Sequence, residues 1–156
     1  MKKLFLIFSI AIFMLLATSC GDDRLSEPEN TALQFYKALW VEGNLEKAKS
    51  FIGSYPPGKK LNWRAEEAKK DSGADNKILI AESPLDVQKP NEKSYLIHRS
   101  SDKKDFKVTV RQINGKWKVI NFHQTYRSDA GGYNSFENYQ RIKYEFPKMK
   151  WKEITP

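Results

Sequence analysis

The chain of 156 residues is short of cysteine: Cys20 is its only one. No disulfide can form within it, so the fold must rest on packing and hydrogen bonds. Histidine is scarce too, with only His98 and His123. Neither has the paired His or His–carboxylate spacing of known metal sites. No Gly-x-Ser-x-Gly or Cys–His arrangement is present for nucleophilic catalysis. No apolar run reaches the ~20 residues that a membrane-spanning helix needs. A phosphate-binding loop is nearly spelled by Gly53-Ser54-Tyr55-Pro56-Pro57-Gly58-Lys59-Lys60. Its last position holds Lys60 where a metal-binding hydroxyl belongs, and Pro56 and Pro57 remove amide donors. A rigid basic surface loop is the better reading. No internal repeat or low-complexity tract occurs, and no motif calls for a cofactor.

The front of the chain is more informative. Lys2 and Lys3 precede apolar stretches from Leu4 to Phe8 and from Ile10 to Leu16, and Ala17-Thr18-Ser19 leads into Cys20. A basic start, a short apolar core and small closing residues make a secretory signal. A small-residue run ending on Cys resembles a bacterial lipoprotein signal. That resemblance implies cleavage before Cys20 and acylation of its thiol and new amino group. The family's usual Leu three places before the Cys is Ala17 here, with Leu16 one step further back. An ordinary secretory cut would instead leave Cys20 as an odd thiol in an oxidising compartment. The expected organisation is a leader at 1–19, a lipid-anchored tether at 20–29 and a single domain at 30–156. Within that domain, residues from 122 onward form an extension without an assigned structure. The expected location is the cell envelope, on the periplasmic face of a membrane or at the cell surface.

Charge narrows the partners. Lys and Arg number 27 against 19 Asp and Glu, for a formal net charge of +8. Beyond the membrane reached through Cys20, such a domain can meet an anionic envelope polymer or an acidic protein partner. The compartment argues against nucleic acid. The simpler alternative is that the charge only maintains solubility.

Periodicity orders the rest. Ser26-Glu27-Pro28-Glu29 reads as a helix start, with a capping Ser, an early Pro and acids at the positive end. Ala32, Phe35, Tyr36, Leu39 and Trp40 follow at helical spacing, and Gly43 ends the helix. Asn44 caps a second short helix with Leu45, Ala48 and Ile52 on one side. Residues 62–71 favour another, whose thin apolar face is Trp63, Ala65 and Ala68. Strands then take over. Ile78–Ile80 and Lys93–Arg99 are strand-like, and Phe106, Val108 and Val110 alternate with Lys107, Thr109 and Arg111. Asn114-Gly115 is a strong hairpin signal that sets Gln112 opposite Trp117 and Val110 opposite Val119. Ile120 and Phe122 then fall out of phase, which predicts a bulge at 119–121. Near the end, Ile142, Tyr144 and Phe146 fit a strand, while Phe136, Tyr139 and Ile142 fit a helix.

Helices followed by an antiparallel sheet make an α+β fold. The segments Thr31–Ala48 and Phe106–Val119, the latter with its Gly115-Lys116-Trp117 hairpin, resemble small lipoproteins of the nuclear-transport-factor-2-like, cystatin-type superfamily. Many of these are domains of unknown function. The resemblance spans roughly residues 28–122. It implies N-terminal helices packed on a curved antiparallel sheet, with Trp117 contributing to the core.

Enzymes of that superfamily often place a His–Asp pair in the cone between helix and sheet. The candidates for such a cavity are His98, His123 and Tyr126, with Asp86, Asp102 and Asp105 near enough in sequence to pair with a histidine. Tyr126, Tyr133, Phe136, Tyr139 and Tyr144 are more aromatics than a tail needs, and some suit a ligand pocket. Lys148-Met149-Lys150-Trp151-Lys152 alternates basic and apolar side chains. It suits either an anionic surface or an edge strand guarded by lysines, and the edge strand is the more economical reading. The sequence therefore points to a non-catalytic binding or interaction domain. A small-molecule-binding or enzymatic use of the cone is the first alternative, and an adaptor role in a membrane-associated complex the second.

Overall fold

A computed structural model describes residues 24–53, 61, 62, 64–66, 68, 77–87, 89–99, 104–123 and 138–155. The first helix, α1 (Glu27–Tyr36), begins where Ser26 marks it. The Ser26 amide donates to the Glu29 carboxylate (3.2 Å), and Pro28 occupies the first turn, where its missing amide costs nothing. Residues 24–29, expected as tether, therefore belong to the folded body, and Leu25 packs on the core.

The helix does not continue unchanged to Gly43. Over Lys37–Val41 it widens into a π turn, with the Glu42 amide donating to the Lys37 carbonyl (2.9 Å). The wider turn keeps Ala38, Leu39 and Trp40 all in the core, where a regular helix would turn one of them outward. Gly43, at a φ of 59°, then closes the helix in the left-handed conformation that glycine adopts without strain. Helix α2 (Leu45–Ser50) is capped by Asn44, whose Oδ1 accepts from the Lys47 amide at 3.0 Å. Residues 61, 62, 64–66 and 68 are helical, with Leu61, Ala65 and Ala68 buried.

The strands are β1 (Ile78–Glu82), β2 (Glu92–Arg99), β3 (Lys104–Ile113), β4 (Lys116–His123) and β5 (Lys152–Ile154). They pair antiparallel in the order β4-β3-β2-β1-β5, so the last strand returns beside the first. Asn114 (φ 51°) and Gly115 (φ 76°) make the expected hairpin turn, with Gln112 opposite Trp117 and Val110 opposite Val119. The register shifts between Thr109 and Val110, leaving Ile120 as the extra residue of β4. The bulge returns Phe122 to the side of Val108, where its ring meets Phe35 at 5.3 Å.

The result is the expected α+β architecture, with helices on a curved antiparallel sheet. One sheet face packs on α1 and the π turn. Phe106 sits at its centre, with ring contacts to Tyr36 (4.9 Å) and Trp40 (4.4 Å). The other face carries Leu96 and is covered by α3 (Tyr139–Glu145) through Ile142, with Met149 and Trp151 packed alongside. The helical alternative for residues 139–145 is the one adopted, because Ile142 has to cover Leu96. The edge strand is shorter than the Lys-Met-Lys-Trp-Lys pattern suggests, starting only at Lys152. Met149 and Trp151 cover core, as that reading requires.

Trp117 needs correction. It is half-buried at the margin of the core, whereas Trp40 is 5% exposed. Trp40→Ala should therefore lower stability by about 3–5 kcal/mol, the cost of deleting a buried aromatic. Trp117→Ala should cost clearly less. Thermal melts of the two variants check the order, and equal losses would place Trp117 in the core after all.

Candidate functional site

The residues with the richest chemistry meet between β2 and β3. His98 and Asp105 are register partners, and the direct cross-strand position brings Nδ1 of His98 onto Oδ1 of Asp105. Both are buried, with Asp105 only 2% exposed. The other carboxylate oxygen, Oδ2, accepts from the Tyr139 amide at 3.1 Å. The Tyr139 ring lies flat on His98, 3.9 Å between centroids and 4° from parallel, and meets Trp151 edge-on at 4.9 Å. Asp105 thus orients the imidazole and places negative charge at the amide end of α3.

A carboxylate that orients an imidazole is half of a general-base arrangement. Here the ring's face is covered by Tyr139, and its β1 neighbour across the register is Leu79. The pair also projects on the side of Leu96, away from α1. The space between helix and sheet is instead filled by side chains such as Phe35, Leu39 and Phe106.

The other expected residues do not join this pair. His123 is exposed at the end of β4, opposite Lys107. Asp86 pairs with Lys107 at 2.9 Å. Tyr144 is 86% exposed, on a different side of α3 from Tyr139. Cys20, Tyr126, Tyr133, Phe136 and Asp102 lie outside the described residues. Among the described residues no group of three or more His, Cys, Asp or Glu is placed to hold a metal ion.

A second feature had no signal in the sequence. At one pole, the start of α1 and the C-terminal tail enclose a cleft of about 450 Å³. Its lining includes Ser26 and Glu29 from the start of α1, Glu82 and Tyr95 from the sheet, and Met149 and Lys150 from the tail. Lys152 ties the start of α1 to the last strand. Its ammonium donates to Glu29 Oε2 (2.7 Å) and to the Arg24 carbonyl (3.1 Å). Glu29 is 6% exposed, so this ion pair satisfies a carboxylate that is nearly out of water. Glu82 is engaged by Lys93 at 2.8 Å. Glu29 reads in sequence only as a helix-start acid and Lys152 only as one of several tail lysines. Nothing local joins two residues so far apart.

Compared with protein-family models and with curated proteins, the sequence finds no match.

Two outcomes follow. Asp105→Ala should cost about 1–3 kcal/mol, because it strips the partner from a buried imidazole and a helix amide. Hydrogen exchange should quicken in α3 before the rest of the domain; uniform quickening would mean that Asp105 does not fasten α3. Tyr95 carries the second. Burial pushes its phenol up to about 12, with the Ser26 hydroxyl bond working against that shift. The folded chain therefore holds more protons than the unfolded chain between about pH 10 and 12, and stability falls as pH rises through that window. Tyr95→Phe should flatten that part of the stability profile.

Proposed function

We propose that this chain is a lipid-anchored envelope domain that works by binding rather than by catalysis. The anchor rests on the leader and Cys20. The binding reading rests chiefly on one observation: the only buried His–carboxylate pair among the described residues is occupied in fastening α3 to the sheet. A buried, stacked imidazole whose carboxylate also holds a helix amide is part of the scaffold. Resemblance to the nuclear-transport-factor-2-like superfamily belongs to this proposal, supported by α1 lying on the sheet and by the Asn114-Gly115 hairpin. Partners would be the membrane through Cys20, with an anionic envelope polymer or acidic protein for the exposed basic surface.

Cys20→Ala should shift the protein from the membrane to the soluble fraction of lysed cells, because multiple acyl chains hold where a single chain is marginal. Equal membrane partition of variant and parent would remove the lipoprotein reading. The enzymatic alternative has the His98–Asp105 geometry in its favour. The double variant His98→Gln, His123→Gln separates the two readings in cells where deletion produces a phenotype. Retained function supports binding. Lost function, with the melt and exchange pattern of the parent, would put catalysis first.

A further inference from the structure

The cleft at the pole stands close to the anchor. Arg24 follows Cys20 by four residues, so an extended connection holds the cleft's rim within about 14 Å of the acylated residue. The headgroup layer beyond the hydrocarbon is itself roughly 5–8 Å deep on each side. Lipid headgroups are therefore the molecules this cleft meets at the highest local concentration. From Arg24 onward the chain is held to the folded body, because Lys152 pins the Arg24 carbonyl and Leu25 packs on the core.

The lining suits such a ligand. Arg24 and Lys150 are exposed and have no ion-pair partner among the described residues, and both border the cleft. Lys148, two residues before Lys150, is exposed as well. Guanidinium and ammonium groups at a rim bind phosphate. Glu82 and Tyr95 also line the cleft, and a carboxylate already bonded to one lysine retains lone pairs for hydroxyl donors. Cations and oxygen acceptors lining one cleft match a phosphate that carries hydroxyl groups. We propose that this cleft binds the headgroup of an anionic glycerophospholipid in the anchoring membrane, phosphate on Arg24 and Lys150, hydroxyls toward Glu82 and Tyr95. The inference rests on the anchor reading for the ligand's source, but the cleft's chemistry is testable apart from it.

The test uses the purified, acylated protein held in discs of neutral phosphatidylcholine. Water-soluble headgroups are added: glycerophosphoglycerol, glycerophosphocholine, glycerophosphoethanolamine and inorganic phosphate. Amide shifts at residues 25–29 and 149–152 report binding. Glycerophosphoglycerol should bind about tenfold more tightly than the other three. Arg24→Gln with Lys150→Gln should abolish that preference while leaving the melt unchanged, since each cation near a charged surface contributes roughly 1 kcal/mol. Equal binding by inorganic phosphate would make this a general anion site, and tighter binding by the ethanolamine headgroup would make Glu82 a cation site. Either result overturns the proposal, as does a preference that survives the double substitution. The same titration on the Cys20→Ala chain, off the bilayer, separates a failed cleft from a failed anchor.

Discussion

Strand β2 is buried on both faces, and much of the architecture answers to that constraint. From Ser94 to Arg99 every residue is buried. A sheet with one face in water would alternate along that stretch. Tyr95 and Ile97 are covered by α1 and the π turn, but Leu96 and His98 need a second cover. The N-terminal helices lie on the opposite face, so the cover comes from the far end of the chain, as α3 with Met149 and Trp151. The C-terminal segment is thus a layer of the fold rather than an extension of it. It then has to return to the sheet, and it does so as β5 beside β1.

A covered His98 must also be satisfied, because a buried polar group without a partner costs more than a typical hydrogen bond contributes. Asp105 stands directly across the ladder and meets that need. Its second oxygen then becomes the attachment point of the covering helix. One carboxylate therefore connects the sheet's polar requirement to its apolar one. The Glu29–Lys152 pair does comparable work at the pole, where a buried carboxylate at the start of α1 draws in the last strand. In both, removing the basic partner would leave a buried carboxylate without it.

These contacts also join the ends of the fold. Because Lys152 reaches the Arg24 carbonyl, the two ends of the described domain meet at one place. Lys152 itself is not part of a free cationic patch: its charge is compensated by Glu29, while Lys148 and Lys150 stay exposed.

Local patterns were legible wherever local physics decides. The start of α1 at Ser26, the Asn44 cap, the Asn114-Gly115 turn with its register, and the bulge near Ile120 follow from short-range hydrogen bonding, allowed φ values and the two-residue period of strands. The proposed leader and lipidation at Cys20 rest on sequence pattern alone. The π turn at Lys37–Val41 was not legible, because only packing against Phe106 selects it over a regular helix. Nor was the choice of helix at 139–145, which Leu96 decides from a distance. Asp105 was one of three acidic candidates for a histidine, and only the β2–β3 register singles it out. The polar cleft depends on Glu29 and Lys152, whose attraction acts across space between opposite ends of the chain. Sequence by itself determined the N-terminal helix starts, the central strands and the hairpin that joins β3 to β4. Tertiary structure decided which side chains meet, because burial and charge pairing depend on distance in space and not on separation along the chain.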